Sequence, residues 1–63
     1  MNKYQRFLTE NEVADYLKIS VYKLRKDREY NRGVPYVKIG RSVRYPVEII
    51  EQFLEENKVI PEN

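Results

Sequence analysis

The chain has 63 residues, with 12 Lys and Arg against 10 Asp and Glu, and it contains neither His nor Cys. Without Cys there are no disulfides, thiolate metal sites or Cys nucleophiles, and without His the commonest metal ligand and general base is missing. No apolar run approaches the roughly 20 residues that span a bilayer, so the expectation is one soluble, cytoplasmic domain over residues 1–63, packed at about 7–57 with frayed ends, and no membrane association.

The first predicted element is announced by Thr9-Glu10-Asn11-Glu12, which fits the S/T-x-x-E capping box. Leu8 before the cap and Val13 after it are placed for a hydrophobic staple. A helix over about Glu10 to Leu17 follows, with Val13, Ala14 and Leu17 at inward spacing. Ser20 is the next N-cap. Lys18-Ile19 then forms a very short link between two helices, and Ile19 is the apolar plug of that turn.

The second helix is predicted over Val21 to Glu29. Setting Leu24 inward puts Tyr22, Arg25, Lys26 and Glu29 on the far face, with Val21 and Arg28 at the inner margin. Asp27 falls closer to the inward side, where an acid is unexpected. Asn31-Arg32-Gly33 supplies turn chemistry, and Pro35 disfavours helical geometry at Val34.

Next, in the stretch Pro35 to Pro46, two short strands flank Gly40 and read as a β-hairpin. Two loop lengths are possible. A two-residue Gly40-Arg41 turn pairs Ile39 with Ser42 and Val37 with Arg44, which mixes apolar and polar residues on one face. A three-residue Gly40-Arg41-Ser42 loop pairs Ile39 with Val43 and Val37 with Tyr45, and sets Lys38 opposite Arg44. The three-residue loop separates core from solvent more cleanly and is the expected register. Pro46 suits the first position of a third helix, over about Val47 to Glu56. Ile49, Ile50, Phe53 and Leu54 form its apolar stripe, and the segment from Lys58 is expected to fray.

The charge is concentrated. Lys18 to Arg44 carries nine basic residues and two acidic, a net +7, whereas Tyr45 onward carries one basic and five acidic, a net −4. A basic middle on a tight helix pair and a hairpin is the footprint of a polyanion binder. The candidate DNA-binding residues are Val21, Tyr22, Lys23, Arg25, Lys26 and Arg28 on the second helix, and Lys38, Arg41, Ser42 and Arg44 on the hairpin. The helix is expected to enter a major groove, and the hairpin to follow backbone or minor groove. Catalysis finds no support: the only glycines are Gly33 and Gly40, so no phosphate-cradling loop exists, and no carboxylate spacing resembles a calcium loop. No cofactor or metal is expected. RNA binding lacks a visible stacking platform. The competing reading is a protein-interaction adaptor that docks on an integrase or polymerase through the acidic third helix.

These elements also resemble the small MerR-like, winged helix-turn-helix proteins of the excisionase family, close to AlpA-type prophage regulators. Phe7-Leu8-Thr9, Glu12-Val13-Ala14-Asp15-Tyr16-Leu17 and Ile19-Ser20 are similar to that family's first helix and turn. Val34 to Arg41 and Arg44-Tyr45-Pro46 are similar to its wing, and Ile49 to Leu54 to its closing helix. The chain departs from the pattern at Lys23, at Asp27 and in the longer segment Arg28 to Arg32. The resemblance implies a mainly α fold in the order helix-turn-helix, β-hairpin wing, helix. It implies a double-stranded DNA-binding accessory protein of a mobile element, acting as an excisionase (a recombination directionality factor), a transcriptional regulator, or both. An integrase or RNA polymerase would be its protein partner. A module this small, burying roughly 600–1,000 Å² on DNA, is expected to bind cooperatively with copies of itself or beside a partner.

Overall fold

Local capping chemistry sets the helix boundaries in the computed structural model, which describes residues 4–62. Helix α1 spans Glu10–Leu17, and both halves of its capping box are made. The Glu12 amide donates to Thr9 Oγ1 at 3.2 Å, and the Thr9 amide donates to Glu12 Oε1 at 2.8 Å. Helix α2 spans Val21–Glu29, with the Lys23 amide donating to Ser20 Oγ at 3.0 Å. Between them Lys18 takes a left-handed conformation (φ 58°), and the Ile19 amide reaches back to the Ala14 carbonyl at 3.0 Å. That closure ends α1 in the manner usually supplied by glycine. It turns the chain within two residues and drops Ile19 onto the core.

Helix α3 spans Val47–Glu56. Pro46 is its N-cap rather than its first helical residue, because Pro46 still belongs to the preceding strand. The strands are β1 (Phe7–Leu8), β2 (Val37–Ile39) and β3 (Ser42–Pro46), in an antiparallel sheet of order β1-β3-β2. The two-residue β1 was not anticipated from sequence. It pairs Phe7 with Pro46 and Leu8 with Tyr45, tying the start of α1 to the start of α3.

The hairpin adopts the register that sequence patterning disfavoured. Ile39 pairs with Ser42, Lys38 with Val43 and Val37 with Arg44, so the loop is the two-residue Gly40-Arg41 turn. Gly40 has φ +61°, and Arg41 is not among the positive-φ residues. Glycine alone at the first central position is the type II′ pattern, whose twist matches that of the strands it joins. Turn chemistry therefore outweighs separation of faces. Ile39 is 61% exposed instead of inward, and Lys38 faces Val43 rather than Arg44. Strand β3 carries the hairpin's core contribution, with Tyr45 fully buried and Val43 packed beside it.

The core is small: Val13 and Ala14 of α1, Leu24 of α2, Val34 of the link, Tyr45 of β3 and Ile50 of α3. Leu8, Leu17, Ile19, Val21, Val43 and Phe53 pack around it. On α3 the expected stripe narrows, since Ile50 is buried, Ile49 and Phe53 are half-buried and Leu54 is exposed. Residues 58–62 form neither helix nor strand, and Asn63 lies outside the described residues. No helix among the described residues is long and apolar enough to cross a membrane.

Candidate nucleic-acid interface

Three structural features sort the basic residues of α2: two acids that engage some of them, and a tyrosine ladder that carries another. The first acid is Asp27. It is buried against the link that follows α2, where its Oδ1 accepts from Arg32 Nε at 2.9 Å and its Oδ2 accepts from Lys23 Nζ at 3.2 Å. The hydrogen bond from Arg32 holds its carboxyl below the usual range, with help from Lys23 and against the effect of burial. The inward acid is thus the fastening point of the long link, which explains why an apolar residue is not needed there.

The second acid is Glu10, at the first helical position of α1. Its carboxylate accepts from Arg25 Nη2 at 2.7 Å and from Arg25 Nε at 3.2 Å, and also from Arg28 Nη2 at 3.0 Å. The Arg25 hydrogen bond is the main cause holding Glu10 below its ordinary value, opposed by burial and reinforced by Arg28. The two arginines differ in setting. Arg28 is 18% exposed, donates to the Tyr45 hydroxyl at 2.8 Å, and lies 5.7 Å from the Tyr36 ring centroid. Burial works against its charge, but hydrogen bonds to Tyr45 and Glu10 outweigh that and raise its pKa. Arg28 therefore joins α1, α2 and β3 from the inside. Arg25 is 60% exposed and presents its outer edge to solvent.

Lys26 is different again. Among the described residues it is the one basic residue of α2 outside every ion pair. Its ammonium lies 5.7 Å from the Tyr22 ring centroid and 5.6 Å from that of Tyr30. These three residues follow the i, i+4 spacing that stacks side chains along one helix stripe. The Arg32 guanidinium, 5.2 Å from the Tyr30 ring, continues the ladder. Tyr22 and Tyr30 are both more than half exposed. The outcome is an exposed strip of alternating rings and cations, able to stack and to neutralise phosphate at the same time.

The hairpin residues meet α2 at one place. A cleft of about 360 Å³ between the first turn of α1 and the hairpin is lined by Glu10, Asn11, Arg28, Arg41, Ser42 and Arg44, among others. Arg41 and Ser42 are exposed, and Arg44 is half-buried with Nη1 donating to the Val43 carbonyl at 2.8 Å. Lys38 is exposed on β2 and is not a lining residue of this cleft. Val21 packs onto the core, so its side chain serves packing first. Thr9 and Ser20 are engaged as caps.

Two contributors were missed from sequence. Tyr30 lies just past the predicted second helix and is not among the sequence candidates, although its i+4 spacing from Lys26 is a usable signal. From sequence Glu10 is only a residue inside the capping-box motif; its partners lie 15 and 18 residues away, and no local pattern announces them.

Comparison with protein families matches residues 7–58 to a helix-turn-helix domain. No curated protein and no solved structure matches the chain.

Proposed function

The chain belongs to the helix-turn-helix domain family, and on that premise we propose that it is a sequence-specific duplex-DNA-binding protein of a mobile element. It acts as a recombination directionality factor of the excisionase type, as a transcriptional regulator, or as both. The family match supports double-stranded DNA as its partner. The observation that carries the reading is the Tyr22–Lys26–Tyr30 strip, with its unpaired cation on the exposed side of α2. In this reading α2 is the recognition helix in the major groove, with Tyr22, Lys26 and the outer edge of Arg25 toward base edges and phosphate. The β2–β3 hairpin is a MerR-like wing, with Lys38, Arg41, Ser42 and Arg44 on backbone or minor groove. Lys23, tied to Asp27, and Arg28, tied to Glu10 and Tyr45, hold the helix in position and contribute less to DNA.

The test is an anisotropy titration against fragments of the DNA around its own coding region, with random duplex as competitor, over a salt series. Lys26, Lys38, Arg41 and Arg44 have no carboxylate partner among the described residues. Four such contacts give a log K against log salt slope of about −3.6. Competitor-resistant binding with a dependence at least that steep is expected, and the fragment retained tells promoter from recombination site. A flat salt response removes the reading.

A second reading has its own observation. Leu54 of α3 is 40% exposed, and Val59 and Ile60 beyond it are 85% and 74% exposed. This leaves apolar surface beside an acidic helix, suited to a protein partner such as an integrase or polymerase. Leu54→Ala that leaves DNA binding intact but abolishes recombination or transcription in a reconstituted assay would favour it.

A further inference from the structure

The position of Glu10 poses a problem for a DNA-binding surface. A carboxylate lies at the junction of α2 and the hairpin, in the same cleft as Arg41, Ser42 and Arg44. Placed there, it repels the polyanion that the surrounding residues attract. It also neutralises Arg25, an exposed cation of α2.

The geometry points to an answer. Two carboxylate oxygens bridge two guanidiniums, with Arg25 Nε and Nη2 both directed at Oε2. A phosphodiester offers the same pair of acceptors through its two non-bridging oxygens. The two arginines are not equally committed. Arg28 is largely buried and also held by Tyr45. Arg25 is 60% exposed, and Glu10 is its one polar partner among the described residues. One end of the bridge is anchored and the other can exchange.

We propose that Glu10 is an internal stand-in for a DNA backbone phosphate, holding Arg25 in the free protein and in loose complexes and giving it up only when a correct site seats α2 closely. The inference rests on the duplex-binding reading above. On random duplex, Arg25 stays with Glu10 and releases no counterion. On a fitting site, phosphate approaches the outer edge of Arg25 and takes its place. Glu10 thereby withholds Arg25 from random complexes and makes the wild-type salt dependence steeper on a fitting site than on random duplex. It is a positioning residue, whereas a purely structural tie between α1 and α2 would change affinity without changing the salt slope.

The variant Glu10→Gln removes the charge and keeps an acceptor for Arg28. Wild type and variant are titrated with random-sequence duplex over a salt series. The wild-type slope is expected near −3.6; the variant adds one phosphate contact and steepens to about −4.5, roughly eightfold tighter at 0.1 M salt. Specific binding gains at least as much, because there the wild type must break the Glu10–Arg25 pair, and its slope stays at about −4.5 in both proteins. Adding Arg25→Ala to Glu10→Gln is expected to return the slope to about −3.6. Equal slopes and affinities in wild type and E10Q overturn the proposal, as does a gain that survives loss of Arg25. Should E10Q fail to fold, the wild-type Arg25 Nε–H resonance decides. It is expected to stay in place with random duplex and move with the retained fragment; the same response to both overturns the proposal. A wild type that binds no duplex at any salt removes the DNA reading itself, and is distinct from a wild type that binds while E10Q matches it.

Discussion

A Cβ placed on Gly33 would lie 2.7 Å from Asp27 Oδ2 and 2.8 Å from Asp27 Cβ. The backbone of the link thus runs directly over the carboxylate that fastens it. Gly33 also has φ +83°, a conformation side chains rarely adopt. Asp27 cannot swing aside without releasing Arg32 and Lys23. Gly33→Ala is therefore expected to destabilise the protein by about 1–3 kcal/mol from backbone strain, with the collision added to it. Urea unfolding followed by circular dichroism measures this. An unchanged midpoint would mean that the link re-routes freely.

Acid should unfold the protein through the same contacts. Glu10 and Asp27 both have folded-state pKa values below their ordinary ones, owing to Arg25 and Arg32 respectively. The unfolded chain therefore takes up protons at these sites before the folded chain does. Their stabilisation is complete above the ordinary carboxylate range and is lost as pH falls through it toward the lowered values. Melting temperatures measured from neutral pH down to pH 3 should fall across that range. Asp27→Asn should lower the neutral-pH value and flatten the decline. A variant with the wild-type acid profile would exclude Asp27 as a contributor.

Tyr45 couples the sheet to α2. Its ring is fully buried and its hydroxyl accepts from Arg28 at 2.8 Å. Tyr45→Phe keeps the packing and removes the acceptor, leaving a partly buried guanidinium N–H without that partner. A loss of about 1.5 kcal/mol is expected, the range for a hydrogen bond to a charged group. Salt-dependent DNA binding should keep its slope, since no exposed cation is lost. A changed slope would mean that Arg28 is redirected to phosphate once Tyr45 lets go.

What could be read in advance follows the range of each signal. Thr9 with Glu12, and Ser20 with the Lys23 amide, act over three residues, so the helix starts were legible residue by residue. The inward spacing of Val13, Ala14, Leu24 and Ile50 is equally local, and all four are buried. Asp27 looked anomalous because Arg32 lies beyond the end of α2, where helical spacing says nothing about direction. The grip of Glu10 on Arg25 and Arg28 crosses from one helix to another and needs the interhelical angle. Strand β1 has two residues, too few to show a period. Of the candidate interface, the clustering of basic residues is legible in the sequence, but which cations are held by acids is not.

The hairpin register yields the sharpest contrast between the two expectations. With a three-residue loop, Ile39 would face Val43 inside the core, and Ile39→Thr would bury a hydroxyl at a cost of roughly 1–3 kcal/mol. In the structure Ile39 pairs with Ser42 and is 61% exposed on a three-residue edge strand. Threonine keeps the β-branched shape that suits a strand. Ile39→Thr is accordingly expected to change stability by no more than about 0.5 kcal/mol. Val43→Thr, on the strand that packs against the core, should be the more damaging of the pair. Paired urea titrations of the two variants decide it. The opposite ranking would show that Gly40 does not dictate the turn and that face separation governs the register after all.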